Sequence, residues 1–302
     1  LTGLLKIAVK TSAAAGRNII MVGPAAVAGG ASDAVISTAS SSLLPSSTVS
    51  PTTLSLVSDV SSVVHFDSSL KAVAATIAHQ DFSVLREIAA KDFLNKSWTR
   101  DNFQALAPGL HALTMRFNAL GAWACYEVIN PESVKDRAAA ITFLVQLASA
   151  LLELRDYNAF VAIMSGLNNS SATRLKKSYA KLSTKITQLQ EQMFDLASGK
   201  ENYRVLRQLW LVAQPPAVPF LALTLKDLTF IEDGNPDKLE DGSTNFYKYR
   251  KMAEVIALCL STRDIIPSTK IDTIFDAYLK KTVPTVTELG EDGLYKLSKK
   301  RE

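Results

Sequence analysis

Few residues in this chain have the types and spacing for covalent chemistry. His65, His79 and His111 are the only histidines, and Cys125 and Cys259 are the only cysteines, far apart in sequence. No zinc-ligand spacing, HExxH helix or Cys–His nucleophile pattern is present, which argues against metal-assisted hydrolysis and thiol catalysis. The residues that stand out are charges. Leu221–Gly242 carries Asp227, Glu232, Asp233, Asp237, Glu240 and Asp241 against Lys226 and Lys238, a local net of −4 in a chain of formal net charge +4. Read alone, this is a helix end with solvated acids. Between Arg174 and Arg207, eight Lys/Arg stand against Glu191, Asp195 and Glu201, and Lys296–Arg301 adds four more positive charges. A solvated helix face is the plain account of these residues, and a weak attraction to an acidic membrane leaflet is the sharper one. A balance of +4 is too mild to indicate nucleic acid.

The elements that must position these charges are helices. A chain of 302 residues that is 47% hydrophobic can bury a sizeable core. Two separated cysteines make no disulfide framework and fit a reducing, cytoplasmic setting. An Ala/Gly-rich head, residues 1–36, precedes a segment, 37–62, with 11 Ser and 4 Thr in 26 positions, which reads as a linker. From residue 63 onward the texture is helical. Asp136–Leu154 repeats apolar residues at Ile141, Leu144, Val145, Ala148, Leu151 and Leu152, the spacing of a core-facing helix. Leu175, Tyr179, Leu182, Ile186, Leu189, Met193 and Leu196 form a heptad-like seam expected on one long helix, with Gly199 as its stop. Pro215, Pro216 and Pro219 interrupt the pattern. Helices are expected at Phe220–Ile231, Asn245–Ser261 and Ile271–Lys281, with Gly234 ending the first by adopting a positive φ. Strand alternation is scarce, so the fold class is all-α, with residues 63–302 as one domain.

Four stretches carry a family resemblance. They are Trp98-Thr99 with Phe117-Asn118 and Trp123; Arg137-Ala138 running to Asp156-Tyr157-Asn158, Met164-Ser165-Gly166-Leu167-Asn168 and Arg174-Leu175-Lys176-Lys177; Pro219-Phe220 with Asp227-Leu228-Thr229-Phe230-Ile231-Glu232-Asp233-Gly234-Asn235-Pro236; and Asn245-Phe246 with Lys248 and Arg250-Lys251-Met252-Ala253. In this order and spacing, Phe66 to about Lys281 resembles the catalytic domain of Ras-family guanine nucleotide exchange factors of the Son-of-sevenless type. The family usually has two asparagines where this chain has Arg155-Asp156.

The resemblance implies an all-helical domain with a protruding helical hairpin and a Ras-family small GTPase as partner, held best when empty of nucleotide. It implies no covalent chemistry, metal or cofactor. By alignment Asp233 supplies a carboxylate to the GTPase's phosphate-binding loop and Thr229 occludes the magnesium position. Asn168, Val161, Phe220, Glu232 and Asn235 fall at GTPase-contacting positions, although core packing explains Val161 and Phe220 equally well. Arg137, Arg174 and Trp98 are read as structural. The expected setting is cytoplasmic, with recruitment to the cytosolic face of a membrane as an extension. The alternative reading is the same fold used as a catalytically silent scaffold or adaptor. Deleting residues 37–62 is expected to leave the domain's thermal unfolding temperature unchanged, and a marked fall would contradict the linker reading.

Overall fold

The computed structural model describes residues 68–265, 267 and 271–302. The head and the linker expected at residues 1–62 lie outside the described residues. Twelve α-helices are present among the described residues: α1 (Ser68–Arg86), α2 (Phe103–Leu106), α3 (Pro108–Ile129), α4 (Val134–Glu153), α5 (Tyr157–Leu167), α6 (Ser170–Thr173), α7 (Lys176–Tyr179), α8 (Thr184–Ala197), α9 (Arg204–Leu211), α10 (Leu221–Gly234), α11 (Phe246–Leu260) and α12 (Thr273–Lys299). A kinked 3-10 segment, Ala90–Thr99, joins α1 to α2. The fold is all-α: the extended pairings among the described residues are two isolated bridges, Asp156 with Val218 and Lys238 with Thr244.

Side-chain caps decide where several helices begin. The Oγ of Ser133 accepts the Asp136 N–H at 3.0 Å to start α4, and Asn245 Oδ1 accepts the Lys248 N–H at 3.2 Å to start α11. The expected long helix through Leu175–Leu196 is two helices instead. Ser183 Oγ accepts the Ile186 N–H at 3.4 Å and begins α8 after a turn, so the heptad stripe crosses a break. Its apolar residues still face one core, because Leu175, Ile186, Leu189, Met193 and Leu196 are all buried in it. Gly199 does not serve as the stop, since α8 ends at Ala197 with Ser198 extended. The final helix also departs from expectation. It runs from Thr273 to Lys299, passes Pro284, and breaks at Gly290, whose φ of 62° suits glycine. Gly234, by contrast, does not adopt the expected positive φ: α10 includes it and ends where Asn235 turns extended.

Two cores organise these helices. The larger joins α3, α4, α5 and α8 with parts of α1 and α12 around Trp123, Phe160 and Leu151. Helices α3 and α5 pack closely because Gly166 has no side chain; a Cβ there would collide with the Gly121 carbonyl oxygen and approach Ala124 Cβ to 2.7 Å. The smaller core gathers the end of α1 and the start of α3 with Phe93 and Trp98 of the 3-10 segment. Leu221, Leu225, Leu228 and Ile231 of α10 and Met252, Ile256 and Cys259 of α11 complete it. This second core is the seat on which the α10–α11 pair rests.

A buried charge cluster lies at the start of α5. Asp156 is fully buried and caps α5 through Oδ1, which accepts the Ala159 N–H at 2.9 Å, while its Oδ2 has no hydrogen-bond partner. Asp81, also fully buried, is held by Arg116 and by Asn158 Nδ2 at 3.2 Å. Burial, then the neighbouring Asp81 charge, push the Asp156 carboxyl well above the usual carboxylate range. The folded state therefore favours neutral Asp156, a contribution fully present at acid pH and lost as pH rises through the raised pKa. Asparagine keeps the capping oxygen without a charge. Asp156→Asn is expected to raise the domain's thermal unfolding temperature at pH 8. The gain should shrink toward pH 4. Thermal melts across that range check this, and a destabilised variant at pH 8 would contradict it.

Candidate functional site

The acidic segment folds as the end of α10, a loop and the start of α11. Carboxylates in the last turn of a helix face the negative end of its macrodipole, and α10 has no basic residue in its own last turn. The compensating cations come from elsewhere. Lys248 of α11 is 3% exposed, and its ammonium lies 2.8 Å from Glu232 Oε2 and 2.6 Å from Asp237 Oδ1 while also donating to the Glu232 carbonyl at 3.3 Å. Burial alone would lower the Lys248 pKa, but the hydrogen bonds and charges of Asp237 and Glu232 outweigh it and raise the value. The hydrogen bond from Lys248, followed by its charge, pulls the Asp237 carboxyl below its usual range. On the other side of α10, Arg207 of α9 grips Asp227 with two bonds of 2.6 and 2.7 Å. Asp233 pairs with Lys96 of the 3-10 segment at 2.5 Å. Most of the −4 run is thus paired within the fold.

Thr229 and Asp233 are four residues apart on α10 and so share a face. Thr229 is half-buried, and its hydroxyl donates to the Leu225 carbonyl at 2.8 Å, which commits that hydroxyl to its own helix. Asp233 is exposed. Asn235 is half-buried and its Nδ2 donates to the Ile231 carbonyl at 2.9 Å, finishing α10. Glu232 is tied to Lys248 inside the hairpin. These four residues are brought together at the hairpin end.

The remaining expected contact residues lie away from it. Val161 is fully buried in the larger core. Phe220 is buried as well, stacked on Phe117 and edge-on to Tyr203, both at 5.6 Å between ring centroids. Asn168 is half-buried at the end of α5. Arg137 is almost wholly buried, where it donates to Ser178 Oγ and to the Pro131 and Glu132 carbonyls and pairs with Glu302 at 3.0 Å. Arg174 lies over the Tyr295 ring at 5.9 Å, and Trp98 is buried in the smaller core. Among the described residues, no group of three or more His, Cys, Asp or Glu is placed to hold a metal, and no helix is long and apolar enough to cross a membrane.

Sequence reasoning missed the apolar character of this end. Phe230 is 62% exposed and Phe246 is 78% exposed, and Leu239, Tyr247 and Tyr249 are also exposed. A signal was present: Met252, Ile256 and Cys259 define the buried stripe of α11, and Phe246 falls off it.

The hairpin's shape should depend on Lys248. Lys248→Met removes the shared cation and leaves the half-buried Glu232 without its partner beside the exposed Asp237, which is expected to loosen the hairpin. Amide hydrogen exchange should then accelerate across residues 229–250 while α3 and α5 stay protected. Unchanged protection of the hairpin would contradict this.

The model of the RasGEF domain family matches residues 72–250. Ras guanine nucleotide exchange factor C of Dictyostelium discoideum is 36% identical over 190 residues, covering 63% of this chain and 13% of that protein. Ras guanine nucleotide exchange factor D of the same organism is 30% identical over 230 residues, 76% of this chain and 34% of that protein. The Ras-specific guanine nucleotide-releasing factor 1 of Mus musculus is 32% identical over 184 residues, 61% of this chain and 15% of that protein. The chain therefore spans only a minor part of the length of these relatives. The matched span runs from α1 through α10 and into the start of α11, and the chain belongs to the RasGEF domain family.

Proposed function

We propose that this domain promotes release of GDP from a Ras-family small GTPase by inserting the α10–α11 hairpin beside the nucleotide. The observation that carries the reading is the hairpin end itself. It has an exposed carboxylate, Asp233, one turn beyond Thr229 on a helix fixed from two sides by Lys248 and Arg207. A carboxylate on a rigid support can accept hydrogen bonds from amides and ammonium groups that otherwise hold phosphate. Thr229, its hydroxyl spent on Leu225, acts as bulk where the nucleotide's magnesium sits. Phe230 and Phe246 supply apolar contact area around these two residues.

No covalent bond changes in this process. The domain and the nucleotide each weaken the other's hold on the GTPase, and that coupling is reciprocal, so the empty GTPase is the form bound best. The domain itself works in the cytoplasm. The exposed Lys296, Lys299 and Lys300 at the end of α12 are suited to weak contact with an acidic membrane leaflet. A silent scaffold is the second reading, favoured by one observation: the Asp233 carboxylate is already paired with Lys96.

The test is the rate of fluorescent-GDP loss from Ras, Rap and Ral proteins with the domain added. Acceleration of at least one GTPase is expected, and acceleration of none favours the scaffold. Asp233→Ala should cost about 1–3 kcal/mol of complex stabilisation, roughly a 5- to 150-fold fall in rate, with circular dichroism unchanged. Equal rates for Asp233→Ala and the parent would remove that residue's role. Thr229→Leu should hold or raise the rate if bulk is what matters, and a folded Leu variant that loses exchange would point to a hydroxyl-specific contact instead.

A further inference from the structure

Lys96 stands 137 positions before Asp233, yet its Nζ lies 2.5 Å from Asp233 Oδ1. The pair is open to solvent, with side-chain exposures of 37% and 43%, so an incoming partner meets both residues. Asn95 and Lys96 are consecutive residues in the left-handed region, with φ of 55° and 48°, where a lysine is uncommon. That backbone is braced on both sides of the ammonium. Thr99 Oγ1 donates to the Lys96 carbonyl at 2.8 Å, Arg100 Nε donates to the Asn95 carbonyl at 3.1 Å, and Trp98 is anchored in the core beneath the hairpin. A fixed backbone aims this lysine at a carboxylate whose helix end supplies no cation of its own.

We infer that Lys96 is the resident competitor for Asp233, setting how much a GTPase must displace before it can use that carboxylate. The inference rests on the role given to Asp233 above. While Lys96 is in place, one oxygen of Asp233 is taken and its charge is offset. A partner that supplies its own donors must exchange them for this ammonium, which weakens binding without altering the later release step. Lys96 thus tunes the affinity for the GTPase and acts only through Asp233.

The experiment measures kcat and KM for catalysed GDP release in the parent, Lys96→Met, Lys96→Asn and Lys96→Arg, and repeats Lys96→Met in the Asp233→Ala background. Methionine keeps most of the stem without the charge. Asparagine suits the left-handed backbone and is too short to reach, so a folding defect in one variant does not decide the result. For an exposed ion pair the expected gain in kcat/KM is about two- to fivefold for both neutral variants, carried by a lower KM. Lys96→Arg should match the parent. The gain should diminish at high salt, where the pair is screened, and vanish in the Asp233→Ala background. A neutral variant that lowers kcat/KM, or has the same effect with and without Asp233, overturns the inference. If Asp233→Ala slows release but neither neutral variant accelerates it, the Lys96 inference alone fails. If Asp233→Ala has no effect, or no GTPase responds, the reading of the hairpin fails and this inference falls with it.

Discussion

One buried ammonium holds the exposed end of this domain together. Lys248 takes Glu232, the Glu232 carbonyl and Asp237 at once, on a side chain that is almost wholly out of water. The need for it arises in α10, which ends in two consecutive acids at the pole of the helix dipole that disfavours them. A carboxylate there stays ionised at little cost only if a cation is brought to it. Glu232 receives a buried lysine from the neighbouring helix, and Asp233 receives an exposed one from a distant loop. The two ion pairs do different things because the Lys248 ammonium is buried and the Lys96 ammonium is open to solvent. The pair built on the buried lysine joins three groups of α10 and the following loop to α11 and fixes shape. The exposed pair is worth little and can be exchanged for a partner's groups.

The rest of the fold supports that arrangement in layers. The larger core fixes α3, α4 and α5, with Gly166 allowing two helices to touch. The smaller core seats α10 and α11 and includes Trp98, so the segment that carries Lys96 is fixed by the same packing that fixes the hairpin. Arg207 adds a two-bond clamp on Asp227 partway along α10. Rigid support of this kind is what a displacement mechanism requires, since a helix that yields on contact cannot push another segment aside.

Much of the fold was legible in the sequence, and the reasons are physical. Where apolar residues recur at helical spacing between a capping residue and a breaker, as in α4, α10 and α11, the boundaries fall within a few residues of those expected. The seam through Leu175–Leu196 misled because burial in one core does not require one continuous helix. Ser183 could cap a new helix while the apolar stripe carried on. The last helix, expected to end at Lys281, continues through Pro284 to Lys299, since a proline can persist within a helix. Of the candidate site, the placing of Thr229 and Asp233 one turn apart followed from helix geometry. The partners of the acids did not. A window of sequence counts Leu221–Gly242 as −4, but Lys96, Arg207 and Lys248 all come from outside it. Val161 and Phe220 were ambiguous between surface and core, and both lie in the core.

The central claim is that the hairpin and the nucleotide oppose one another on the same GTPase. The most direct measurement is the affinity of this domain for one responsive GTPase prepared empty of nucleotide and loaded with GDP, by calorimetry or surface plasmon resonance. Reciprocal coupling predicts much tighter binding to the empty form, and dissociation of that complex when GDP is added. Equal affinity for the two forms, with a complex that GDP leaves intact, would contradict the account.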